Sequence, residues 1–126
     1  MAQPEVKMIA LLKKKSTLSI ADAEDHYETI HVPLIFKLFG PYMARYARNY
    51  VNKESTEQPG VRPTSYDIVT EVWFATKEDF AKFNEIASRP DVRKLVEEDE
   101  EKFLDASDVQ MFLAREFEGG SRGKAL

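Results

Sequence analysis

Both histidines of the chain fall in one stretch, HYETIHVPLIFKLF, residues 26–39. An imidazole gives and takes a proton near neutrality, which makes His31 the first candidate for acid–base catalysis. Tyr27 stands four residues before it, one helical turn away, so the two share the inner side of a helix. Pro33 stands two residues after it. Proline carries no N–H, so the carbonyl of Thr29 loses its usual partner, the helix bends, and His31 turns toward the layer beneath. The structural alternative is an imidazole that only satisfies a buried carbonyl or carboxylate. His26 is expected at the edge of the face and partly exposed. Five residues separate it from His31, the wrong spacing for a shared metal face on an α-helix.

Glu71 is the second candidate. It sits between Val69 and Trp73 in TEVWF and points to the same side as both by strand alternation. A carboxylate there either pairs with a cation, Arg45 or Arg48 from a neighbouring strand, or is kept for proton transfer. Tyr46 and Tyr50 share one face of that neighbour and Asn49 takes the other. Together with Trp73 they supply the rings and hydrogen-bonding groups of a small-molecule pocket, although sheet tyrosines serve as often in a core or an interface. Asp99 interrupts the apolar stripe of Val92, Leu95, Val96 and Phe103. A buried acid needs a partner, and a tie to His31, Arg45 or Arg48 would provide one. The rest of VEEDEEK, residues 96–102, is expected to be a solvated helix face.

The elements that position these groups follow from periodicity and punctuation. VKMIALL predicts a buried strand over residues 6–12, closed by three lysines. Ser19 with Asp22 opens a helix that runs to Phe39, where Gly40-Pro41 stops it. Residues 43–52 and 66–74 predict two strands, joined by a polar loop over 52–65 that is long enough to be a lid or a dimer arm. Thr76 and Asp79 start a second helix through Ala87, and Pro90 starts it again. DVQMFLAREF, residues 108–117, gives the last strand, and 118–126 a loose tail. The order strand, helix, strand, strand, helix, strand predicts an α+β, ferredoxin-like βαββαβ domain over residues 1–126, with a core of about 6–117 and a four-stranded antiparallel sheet. In YDIVTEVWF both faces carry bulk, so both must be covered; helices cover one, and a second copy of the chain covers the other. A homodimer is expected.

Composition narrows the function. The 126 residues include no cysteine, 43% are apolar, and the net charge is -4. Thiolate catalysis and cysteine-held metals are excluded, and the charge gives no footprint for nucleic acid. The sequence contains no apolar run long enough for a membrane span, no leader pattern and no glycine-rich phosphate loop. A reducing cytoplasm is the expected compartment.

Five features in order carry a resemblance. They are a first strand ending in basic residues, a Ser-capped helix, HVPL at 31–34, the aromatic strand RYARNYV, and TEVWF followed by EDEEKFLD. The chain resembles the EthD family of small dimeric α/β-barrel proteins across residues 6–117. It departs from the common pattern at Val32, where glycine is frequent, and at His26, where an aromatic residue is usual. The resemblance implies a pocket between sheet and helices, with no metal and no organic cofactor. The family and its near relatives include polyketide cyclases, decarboxylases and a methylmuconolactone isomerase. The expected function is therefore a cofactor-independent lyase, isomerase or cyclase acting by proton transfer on a hydrophobic oxygenated molecule, aromatic or polyketide-like. In that reading His31 shuttles the proton, Glu71 or a tyrosine polarises an oxygen, and Trp73 and Tyr46 wall the ring. Tyr27, Asn49, Tyr50 and Asp99 complete the binding set. The rival reading is a non-catalytic protein that binds such a molecule for a partner enzyme.

Overall fold

The computed structural model describes residues 3–54 and 59–120. The chain runs β1 (Val6–Leu12), α1 (Ile20–His26), a π-helical turn (Tyr27–His31), α2 (Val32–Phe39), a 3-10 turn (Gly40–Tyr42), β2 (Arg45–Tyr50), β3 (Ile68–Phe74), α3 (Lys77–Ala87), α4 (Pro90–Glu100) and β4 (Gln110–Ala114). The four strands form one antiparallel sheet in the order β2-β3-β1-β4, which is the ferredoxin-like arrangement. β1 has the expected bounds, while the other three strands are shorter than expected, because ladder pairing spans Arg45–Tyr50 in β2, starts at Ile68 in β3 and stops at Ala114 in β4. Residues 55–58 of the 52–65 loop and residues 121–126 of the tail lie outside the described residues.

Local signals set the helices. The Ser19 hydroxyl accepts the Asp22 N–H at 3.1 Å, and the Thr76 hydroxyl accepts that of Asp79 at 3.0 Å. Pro90 occupies the first turn of α4, where its missing N–H costs nothing. Pro33 acts differently from a simple kink. Ahead of it the ladder widens to a π turn, in which the Val32 N–H reaches back five residues to the carbonyl of Tyr27.

The register assigns every side chain to a face. Tyr46, Arg48 and Tyr50 stand opposite Val72, Thr70 and Ile68, on the helix side. Arg45, Ala47 and Asn49 stand opposite Trp73, Glu71 and Val69, on the open side. Two ring clusters fasten the helices to the sheet. Phe74 lies 5.0 Å from both Phe80 and Phe83, and Phe83 lies 4.4 Å from Phe39. Phe103 packs against His26, Tyr27 and His31 with ring centres 4.9, 5.2 and 5.0 Å away. Phe39, Phe74, Phe103 and Ile68 are the largest side chains buried completely. Phe74→Ala empties the first cluster, far from the histidines, and should cost about 3–5 kcal/mol in urea unfolding. A loss under about 1 kcal/mol would mean that the cluster does not anchor α3.

Candidate active site

The π turn brings the two histidines to one carboxylate. His31 donates from Nδ1 to Asp99 Oδ2 at 2.8 Å, and His26 donates from Nε2 to Asp99 Oδ1 at 2.9 Å. Both carboxylate oxygens are thus occupied by N–H donors, and each donation fixes its ring in one tautomer. The five-residue spacing that misaligns two side chains on an α-helix aligns them where the ladder itself closes over five residues. The expected tie between Asp99 and His31 is present. Arg45 and Arg48 are not part of it: Arg45 stacks on Trp73 at 4.4 Å, and Arg48 forms a two-point ion pair with Glu28 at 2.9 and 2.6 Å.

His31 is 4% exposed, and burial holds its pKa below the ordinary value near 6.5, against the opposing pull of Asp99. Burial pushes Asp99 up, but the two imidazole hydrogen bonds outweigh it and its pKa ends below the usual carboxylate value. At neutral pH the pair is therefore an uncharged imidazole held by an anionic carboxylate. The Nε2 lone pair of His31 has no hydrogen-bond partner among the described residues, and no buried side-chain nitrogen or oxygen there is left unsatisfied. Nε2 therefore opens to the cleft.

That cleft has a volume of about 320 Å³ and lies between the sheet and α2, α3 and α4. Its floor is Met8, Ala10, Leu12, Thr70, Val72 and Met111, and its far walls include Ile35, Phe39, Phe83 and Val96. Tyr27 and Tyr46 enter it beside His31. Their hydroxyls form a chain: Tyr46 donates to Tyr27 at 2.9 Å, and Tyr27 is hydrogen-bonded to the Thr70 hydroxyl at 2.7 Å. Burial raises both phenols above their usual value near 10, so they stay protonated as donors. At the mouth Arg93 pairs with Glu97 at 2.8 Å. A neutral base, fixed hydroxyls and apolar walls suit proton transfer at an oxygenated, hydrophobic ligand.

The sheet register divides the residues singled out from the sequence. Tyr27, His31, Tyr46 and Asp99 converge on the cleft and its histidine pair. Tyr50 is on the helix face, where its hydroxyl donates to the carboxylate of Glu28. Glu71 and Trp73 face the opposite side of the sheet from His31, so the expected pairing of Glu71 with His31, and of Trp73 with Tyr46 around one ring, does not form. Alternation is the reason, since Glu71 and Thr70 are consecutive and only Thr70 reaches the cleft. Glu71 lies 3.9 Å from Lys7 rather than beside an arginine. Trp73 lies between Lys7 and Arg45, 4.5 and 4.4 Å from its ring centre, and donates to Glu116 at 2.8 Å. Asn49 is on the open face and donates to the carbonyl of Val69 at 2.9 Å.

Thr70 and Glu100 are among the cleft residues that escaped the sequence reading. Glu100 lines the cleft, and burial together with Glu97 and Asp99 pushes its carboxyl up to about 7. VEEDEEK is thus not uniformly a solvated face. The available signal was spacing, because Glu100 stands four residues after Val96 and eight after Val92, on the row that packs inward. Among the described residues no group of three or more His, Cys, Asp or Glu side chains is placed to hold a metal ion.

A four-stranded antiparallel sheet, helices on one face, and a histidine–aspartate pair at the cleft between them define a ferredoxin-like α+β protein with a pocket under its helices. The sequence matches the EthD domain over residues 15–107, and the chain belongs to the EthD family. It is similar in fold to an ethyl tert-butyl ether D (EthD) family protein of Bacillus halodurans, with 20% identity, a TM-score of 0.60, and 89% of this chain and 98% of that one covered. A hypothetical protein of Arabidopsis thaliana matches with 17% identity and a TM-score of 0.59, covering 92% and 91%. A dimeric ferredoxin-like protein of unknown function from Thermobifida fusca matches with 17% identity and a TM-score of 0.52, covering 86% and 88%. No curated protein matches the sequence. Among the described residues no helix is long and apolar enough to cross a membrane.

The opposed causes at His31 give a signed prediction. Asp99 is the group that raises the imidazole, so Asp99→Asn leaves burial in command and moves the His31 titration further below 6.5. Imidazole nitrogen shifts in an NMR titration measure this. An upward move would show that the carboxylate does not bear on the ring.

Proposed function

We propose that the cleft is the active site of a cofactor-independent lyase, isomerase or cyclase that moves a proton on a hydrophobic oxygenated small molecule. The observation that carries this reading is the 2.8 Å bond from His31 Nδ1 to Asp99, which commits the other ring nitrogen to the cleft as an acceptor. In the proposed reaction Nε2 removes a proton from a ligand carbon or hydroxyl. Asp99 fixes the tautomer and stabilises the imidazolium that results, and His26 holds the second carboxylate oxygen. The Tyr46–Tyr27–Thr70 chain uses two of its three hydroxyl protons internally and leaves one, on Tyr27 or Thr70, to donate to the oxygen where negative charge builds. The apolar walls seat a ring or short chain and exclude water, which strengthens each of these bonds. Glu71, Trp73 and Asn49 face away from this space and are assigned to the second face of the sheet.

That face is proposed to be the homodimer interface. Ile9, Leu11, Val69 and Phe112 lie on it, and Phe112 is 45% exposed. Dimeric ferredoxin-like neighbours support the assignment. The whole chain is read as one such domain in a reducing cytoplasm, with no partner beyond its ligand and its own copy. The alternative of a non-catalytic carrier uses the same cleft without turnover.

Deuterium exchange into 2-tetralone, a hydrophobic ketone small enough for the cleft, tests the chemistry. The protein is expected to accelerate exchange, and His31→Ala to remove the acceleration by on the order of 10²-fold or more while binding and folding persist. Binding without acceleration would favour carriage, and an unchanged rate in the variant would take the histidine out of the mechanism. Separately, Phe112→Lys should convert a dimer to a folded monomer in sedimentation, and a dimer that survives it would place the interface elsewhere.

A further inference from the structure

The proton-transfer reading supplies a base and leaves open what returns a proton to the ligand oxygen. Glu100 follows Asp99 in α4, the residue that His31 touches, and lines the same cleft as His31, Tyr27, Tyr46 and Thr70. Its carboxyl makes no hydrogen bond and no ion pair among the described residues, in contrast to Glu97 beside it, which is held by Arg93. An unpartnered carboxylate against apolar walls is costly, and its neutral form is the one such a place tolerates.

We propose that Glu100 is the proton donor of this cleft, passing its carboxyl proton to a ligand oxygen while the imidazole of His31 takes a proton from the ligand. The inference rests on the proton-transfer reading above and adds a second catalytic residue to it. The step balances. The C–H or O–H electron pair moves into the ligand as His31 Nε2 gains that proton. The electron pair of the developing oxyanion takes the proton of Glu100, leaving an imidazolium and a carboxylate. A second hollow of about 330 Å³, lined by Glu97, Glu101, Leu104, Ala106, Val109 and Met111, also reaches Glu100. Through it the carboxylate regains a proton from solvent.

The groups that face Glu100 favour its acid form. Glu97 and Asp99 on its own helix add to burial in pushing its carboxyl to about 7, and Glu101 follows at the helix end. Tyr27 and His31 from the first helical segment and Tyr46 from β2 are neutral at that pH, and Tyr27 feels the charge of Glu100 as one that raises its own phenol. The facing residues of β1 and β4 are Met8, Ala10, Leu12 and Met111, with Val109 just before β4, all uncharged. Arg93 is the nearby cation, and its guanidinium is engaged by Glu97.

A diazo reagent reports this acid directly. The diazo carbon of 2-diazo-2-phenylacetamide takes the proton of a carboxylic acid, dinitrogen leaves, and the carboxylate closes the ester, so ionised carboxylates do not react. At pH 7 the full-length protein is expected to gain one ester, located at Glu100 by peptide mass spectrometry and absent from Glu100→Gln but present in Glu97→Gln. The carboxyl carbon of Glu100 should titrate near neutrality by NMR, and Glu100→Gln should slow deuterium exchange into 2-tetralone on the order of 10²-fold with its Kd kept within twofold. A Glu100 that titrates below pH 5, or labelling spread over surface carboxylates, overturns the proposal; so does an exchange rate that Glu100→Gln leaves unchanged. If the wild-type protein exchanges no ketone at all, the reading of the cleft as an enzyme site for such ligands fails, and the ester and the titration still decide whether Glu100 is its acid.

Discussion

The site depends on one carboxylate serving two imidazoles. Asp99 is buried, and a buried acid persists as an anion only where donors meet its oxygens. Here the donors are His31 Nδ1 at 2.8 Å and His26 Nε2 at 2.9 Å. These bonds tie α4 to the first helical segment across the top of the core, with Phe103 packed against both rings from below. Three things follow from the same contact. The helices are held in register, the tautomer of His31 is decided, and its second nitrogen is turned into the cleft.

The contact exists because the helix is imperfect at a chosen place. An unbroken α-helix would set residues 26 and 31 well apart around its axis, and at most one would reach Asp99. Pro33 withdraws an N–H from the ladder, and the chain answers with a π turn over Tyr27–His31 rather than a bare kink. The Val32 N–H still finds an acceptor in the carbonyl of Tyr27. The backbone is therefore satisfied while the side chains are re-phased, and Tyr27, His31 and His26 gather on one side.

These events mark what could be read from sequence. The strands, the Ser19 and Thr76 caps and the ferredoxin-like order were legible, since alternation and capping are local properties. The tie between His31 and Asp99 was legible as a need, because an acid in an apolar stripe demands a partner. The role of His26 was not, since the spacing rule assumes an α-helix and the turn is π. The separation of Glu71 from His31 followed from which face of the sheet the helices cover, a tertiary fact that alternation alone cannot supply. Trp73 misled for the same reason. Its ring is 4% exposed, yet cations and Glu116 cover it rather than the helices. Glu100 was hidden in an acidic run in which Glu97, Glu98 and Glu101 do face solvent.

The chemistry of the cleft comes from one environment acting on two kinds of group. Low polarity disfavours whichever form carries charge, so it lowers a base and raises an acid. His31 is driven below its ordinary value and Glu100 up to about 7 by burial before anything else. Near neutral pH the first is therefore an uncharged acceptor and the second retains a proton in a substantial share of molecules. Water would erase that difference by solvating both ions. The apolar floor of Met8, Ala10 and Leu12 is thus part of the acid–base apparatus as much as the groups that titrate, because without it neither group would stand in the protonation state that proton transfer requires.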